Sequence, residues 1–206
     1  MFPIVSPTAS GPIVRFSSAD FPERSRDVMW REMLRRHIVA LDSDLKDQPL
    51  GKPFNNNNVG MALPGLGVVT HNAAQCSVRR TRRLLADGNE NLRLLIFARS
   101  TTAATATQFG REIAVDSGNA VVLLNSEQNS ISFPSRRPRV LVLNLRQEGL
   151  RPLLRDFDTV LKSPIPGQLE ALRLLSNYIE GLIREPALSS ADVARLVVAQ
   201  GTILPR

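Results

Sequence analysis

The chain is poor in the side chains that most enzyme and nucleic-acid chemistry needs. It has a single cysteine, Cys76, two histidines, His37 and His71, and only 5% aromatic residues among 206. One cysteine excludes an intramolecular disulfide and fits a reducing, cytoplasmic setting; the thiol reads either as a packed or surface side chain or as a reactive one. The histidines form no His-x-His or His-x-x-x-His pair, so no metal site and no cofactor are expected. Scarce aromatics remove the stacking platforms on which single-stranded nucleic acid is held. No run approaches the roughly 20 apolar residues of a membrane-spanning helix, so no membrane partner is expected. The N-terminus, MFPIVSPTASGP, lacks the basic start and apolar run of a secretory signal, and Pro3, Pro7 and Pro12 interrupt regular structure. Residues 1–12 therefore read as a disordered leader. Also missing are a Gly-x-Ser-x-Gly elbow, a P-loop and a dinucleotide glycine fingerprint. Gly65-Leu66-Gly67 is isolated and reads as a turn, and Glu112 and Asp116 read as ordinary strand neighbours. No catalytic residue is assigned and the chain is not expected to be an enzyme.

What is present is a rhythm. Short apolar runs at Leu94–Ala98, Ile113–Val115 and Ala120–Leu124 are separated by turn residues, among them Gln108-Phe109-Gly110-Arg111-Glu112 and Asp116-Ser117-Gly118-Asn119. That spacing is the mark of a small antiparallel β-barrel or jelly roll. Further runs at Val59–Leu63, Leu66–Thr70, Ser130–Phe133 and Arg139–Leu145 bring the expectation to about eight strands between residues 59 and 145. The polar stretch Asp42–Asn58, ending in four asparagines, reads as a loop.

Helical periodicity flanks this region. Phe21–Leu41 reads as a helix capped by Ser18 or Asp20, with Met29, Met33, Leu34, Ile38 and Leu41 as its apolar stripe and Trp30 beside it. After residue 146 the period changes again. Helices are expected at Leu150–Phe157, Gln168–Arg184 and Ser189–Gln200. Leu172, Leu175, Ile179 and Leu182 form a seam spaced three, four and three, which could pair with a second copy or pack on the chain's own barrel. The fold class is thus α+β: an N-terminal helix, an antiparallel barrel and a helical tail. Residues 13–146 form the main domain and 147–206 a helical connector. The net charge of +7 suits an acidic partner, but the only dense basic run is Arg79-Arg80-Thr81-Arg82-Arg83, which also reads as a solvated strand end.

Several separated pieces, in order, resemble the N-terminal sensing domain of AraC-type bacterial transcription regulators. Phe16-Ser17-Ser18-Ala19-Asp20-Phe21-Pro22, with Arg26 and Trp30-Arg31-Glu32, is similar to that family's opening helix. Arg80-Thr81, the Gln108-x-Gly110-Arg111-Glu112 hairpin, the Asp116-Ser117-Gly118-Asn119 turn, Leu150–Leu154 and Leu172–Tyr178 follow at similar spacings. Ser117 and Asn119 depart from the Pro-Gly-Asp pattern of the turn. Phe109 departs from the Asn or Asp of a two-residue type I′ hairpin, so a longer loop with Gly110 left-handed is expected.

The resemblance implies a cupin-like barrel that binds a small-molecule effector and a tail that dimerises, as a homodimer or with a full-length regulator. Arg80 and Trp30 are the candidate ligand-binding residues, though Arg80 also reads as a structural arginine at a strand end. Leu172, Leu175, Ile179 and Leu182 are the candidate dimer helix. Leu188–Ala194 is faintly similar to the first helix of a DNA-reading unit, but no recognition helix follows. The chain is expected to be truncated before its DNA-binding domain and not to bind DNA specifically on its own. The rival readings are a small cupin-like, isomerase-type enzyme acting on a sugar or acid, and a nonspecific nucleic-acid binder driven by charge. Polar side chains converging inside the barrel would favour the enzyme; a mostly apolar interior would favour the sensor.

Overall fold

A computed structural model describes residues 13–44, 54–63, 66–72, 76–100, 102–133, 138–150 and 156–184. In chain order the elements are β1 (Ile13–Ser17), α1 (Arg26–His37), β2 (Asp42–Asp44), β3 (Asn57–Leu63), β4 (Leu66–Asn72), β5 (Cys76–Arg80), β6 (Leu92–Arg99), β7 (Ala104–Gln108), β8 (Arg111–Val115), β9 (Ala120–Leu124), β10 (Asn129–Phe133), β11 (Arg139–Leu145), α2 (Gln147–Leu150), α3 (Phe157–Val160) and α4 (Glu170–Arg184). The strands form a six-stranded sheet, β1-β3-β4-β11-β6-β9, and a five-stranded sheet, β2-β5-β10-β7-β8. All the pairings are antiparallel.

Alternation along each strand builds two cores. Leu95 and Phe97 of β6, Val69 of β4, and Val140 and Val142 of β11 face Val78, Ile113, Ile131 and Phe133 of the other sheet, and α1 adds Trp30, Met33 and Leu34. The intervening residues, Leu94 and Ile96, Val68, and Leu141 and Leu143, point the other way and meet Leu172, Ile179, Leu182 and Ile183 of α4. Being covered on both faces, β6 and β9 read as nearly continuous apolar runs instead of alternating ones.

The expected closed barrel is not formed: the two sheets remain separate. At β9 the reason is visible. Its edge facing away from β6 is met at Ala120 by Ile165, through reciprocal backbone bonds of 2.9 and 2.7 Å. The turn before it sends its bonds to Phe97, with Phe97 N donating to Asn119 O and Gly118 N to Phe97 O. Closure would need a continuous ladder at this point.

Other expectations shift at their ends. The first helix spans Arg26–His37 and not Phe21–Leu41, because Pro22 leads into a 3-10 turn, Glu23–Ser25, and Ile38 leaves helical geometry at φ −131°, ψ −77°. Ser17, not Ser18 or Asp20, provides a side-chain cap, and it does so for the preceding turn Ser18–Asp20. Residues expected to open the helix belong instead to β1, and the asparagine loop gives Asn57 and Asn58 to β3. The hairpin between β7 and β8 has two residues, Phe109 at φ 54° and Gly110 at φ 69°, with Gln108 opposite Arg111. It is the short hairpin, not the longer loop. Of the expected helix Leu150–Phe157, residues 151–155 lie outside the described residues, and its two ends fall in α2 and α3; the leader 1–12 and the helix Ser189–Gln200 also lie outside them.

Candidate functional site

Beneath α1, between the two sheets, lies a cavity of ≈ 30 Å³. At ~10–15 Å³ per water-sized centre, that is room for two or three such atoms. Its walls are Trp30, Leu34, Ile38 and Leu41 from α1 and the segment after it, Val69, Leu95 and Val142 from one sheet, and Val78 and Phe133 from the other. Two polar side chains also border it, His71 and Arg93, and among the described residues no carboxylate does.

Trp30, a predicted ligand residue, is buried at 1% exposure and lines this cavity. Its ring stacks on His71 at 5.3 Å and 16°, and packs against Phe54 at 5.2 Å. The indole Nε1 has no hydrogen-bond partner among the described residues. His71 lies within β4 and not after it, on the same inward register as Val69. Its Nδ1 is 2.6 Å from Asn58 Oδ1, an acceptor, so the ring carries its proton there and leaves Nε2 as a bare lone pair. Burial holds the His71 pKa down at about 4, so the ring is neutral at physiological pH.

Arg80, the other predicted ligand residue, does not line the cavity. Its guanidinium is engaged by protein: Nη1 and Nη2 clasp the two carboxylate oxygens of Asp87, Nη1 also donates to Ala40 O at 3.1 Å, and Nε donates to Asn125 O. The hydrogen bond from Arg80 also holds the Asp87 carboxyl below its usual pKa. Arg93 is the arginine that reaches the cavity. Its Nε donates to Asn125 Oδ1 at 2.6 Å and its Nη2 to Asn129 Oδ1. Burial, and secondarily the like charge of Arg80, lower its pKa to about 9, which leaves it a cation at neutral pH. Arg93 was not singled out from the sequence, although the signal exists. It stands two and four residues before Leu95 and Phe97, on the buried face of a strand.

The polar cluster also holds the end of α1. Asn144 Nδ2 donates to Ile38 O at 3.1 Å, and Asn144 Oδ1 accepts from Asn125 Nδ2 at 3.3 Å. Together with the Arg80–Ala40 bond, this ties the lid segment to the groups that hold Arg93. The predicted dimer seam is placed elsewhere: Leu172, Ile179 and Leu182 are buried against the chain's own six-stranded sheet, with Leu175 packed partly beside them. The large apolar side chains exposed on α4 are Leu174 and Tyr178. Among the described residues no three His, Cys, Asp or Glu side chains come together as a metal-binding group, and no helix is long and apolar enough to cross a membrane.

No known family profile matches the chain, and no curated protein matches it. Among solved structures it shares its fold with the AraC-like transcriptional activator CuxR. The two are 17% identical with a TM-score of 0.65, over 94% of this chain and 72% of that one. KdgF from Halomonas sp. aligns over 46% of this chain and 83% of its own, at 11% identity and a TM-score of 0.36. The Clostridium difficile EutQ protein aligns over 44% and 69%, at 11% identity and a TM-score of 0.33. The first likeness establishes the architecture; the other two are too slight to carry an argument.

Proposed function

We propose that this chain is the effector-sensing domain of an AraC-like transcription regulator, with the cavity beneath α1 as its ligand site. The observation that carries the reading is the character of that cavity inside this fold. It is mostly apolar, it carries Arg93 and His71 in its walls, and it is roofed by a helix whose exit segment hangs from the network that holds Arg93. A small-molecule site has this make-up, with apolar walls and a few placed polar groups that fix orientation. A ligand there acts by favouring one of two positions of the roof, to the extent that it binds them with different affinity. Among the described residues the cavity brings together one histidine, one arginine and otherwise apolar walls, which supports a sensor over an isomerase-type enzyme. Dimerisation, with itself or with a full-length regulator, belongs to the same reading. Because the seam of α4 is committed to the sheet, such a contact would use its Leu174 and Tyr178 side.

The test is a thermal-stability screen of the purified chain against small metabolites. A ligand at 100 times its Kd raises stability by about 2.7 kcal/mol. The expected result is a compound that raises the melting temperature and is recovered chemically unchanged. A screen in which no compound stabilises the chain, or in which the stabilising compound is turned over, overturns the reading.

A further inference from the structure

Resting on that reading of the cavity, we infer that its ligand is a compact monocarboxylate of two or three carbons, gripped by Arg93 with the Trp30 indole N–H as second donor. Arg93 is 1% exposed, and both of its partners are neutral amides, Asn125 and Asn129. No carboxylate among the described residues pairs with it. Its neighbour Arg80, by contrast, holds Asp87. A buried cation without an anion is costly, and proteins ordinarily pair such groups or neutralise them. The site is one negative charge short, and the shortage faces a cavity.

The hydrogen-bond inventory agrees. A guanidinium has five N–H donors, and the bonds of Arg93 run through Nε and Nη2 only. Among the described residues those two bonds use neither Nη1 nor all of Nη2, and the buried Trp30 Nε1–H has no acceptor. A carboxylate offers two oxygens with about four lone-pair sites, enough for the arginine fork and the indole together. A neutral alcohol or sugar would satisfy donors but not the charge. A dianion would exceed the single cation at the cavity wall. Leu34, Leu95 and Phe133 suit a short alkyl end; the ≈ 30 Å³ cavity is smaller than such an acid, so binding requires α1 to shift outward, which is the movement the sensing reading asks of a ligand. The bare His71 Nε2 accepts from a water or from a hydroxyl carried by the ligand.

The experiment titrates the full chain with acetate and propionate, and with their neutral isosteres acetamide and propionamide, at fixed ionic strength with sulfate as background salt. Binding is read by calorimetry. Expected is binding of an acid at least tenfold tighter than its amide, and a loss of at least tenfold in Arg93→Gln. Amides that bind as tightly as acids, or an Arg93→Gln protein that holds the acid undiminished, overturn the inference. Where Arg93→Gln does not fold, the acid and amide comparison on the unaltered chain decides alone. If the acids fail while another compound from the stability screen binds in the cavity, the carboxylate inference falls and the sensing reading stands. If nothing binds, both fall.

Discussion

Phe109 carries a cost that its neighbours explain. It sits at φ 54° in the two-residue turn joining β7 to β8, and its side chain is 46% exposed. A side chain with a Cβ in the left-handed region loses roughly 1–2 kcal/mol, less for asparagine, which tolerates it. Phe109→Asn is therefore expected to stabilise the chain by about 0.5–1 kcal/mol in a urea melt; a lower midpoint would mean that the ring makes up for the strain by packing. His71 contributes a pH dependence. Its pKa is 6.5 in an exposed reference and about 4 here, because burial disfavours the imidazolium. As pH falls below 6.5 the unfolded chain takes up a proton that the folded ring refuses until about pH 4. Stability from this group is thus complete above the unfolded value and declines through that window, by on the order of 3 kcal/mol in all. Unfolding curves from pH 7 to pH 4 should show that decline, and His71→Gln should flatten it. The two arginines show what residue-level reading reaches. Arg80 stood out through the Arg80-Thr81 resemblance and its dense basic run, neither of which says where a guanidinium points. Arg93 stood among leucines, where its inward register was the informative property, and its consequence came only from knowing that no carboxylate folds against it.

Elements built on strong apolar runs were legible, and those built on small or polar residues were not. The runs near 94–98, 113–115 and 120–124 became β6, β8 and β9. β7, Ala-Thr-Ala-Thr-Gln, was not legible, since alanine has little strand propensity of its own. Its inward Ala104, Ala106 and Gln108 are buried because β8 and β10 pair on either side. Asn58 reads as loop by propensity but is drawn into β3 by pairing opposite His71, the ring it then orients. The seam of α4 was legible as a seam, but periodicity does not say which surface it meets. Here it meets the outer face of the six-stranded sheet. Ile179→Ala, at a fully buried position, should cost about 2–5 kcal/mol. Leu174→Ala, on the solvent side, should change monomer stability by no more than about 0.5 kcal/mol. Equal effects at the two positions in a denaturant melt would contradict this packing.

For the whole molecule, three layers share two cores: the five-stranded sheet, the six-stranded sheet, and α4 behind it. This arrangement sets the cavity at one end of the inner core and puts α1 over it. The layering could not be read from the sequence, because a strand that changes sheets at a turn looks like one that continues a barrel. At Ala120 the free edge of β9 is met instead by Ile165, 45 residues further along the chain. Sensing by this fold requires a small molecule to enter the cavity under α1. Trp30 is the chain's only tryptophan and forms part of that wall, so its emission reports on the site alone. A titration with a compound that raises the melting temperature should shift Trp30 emission to saturation at the same concentration range. A compound that stabilises the chain fully while leaving that emission unmoved would place the ligand elsewhere and contradict the account.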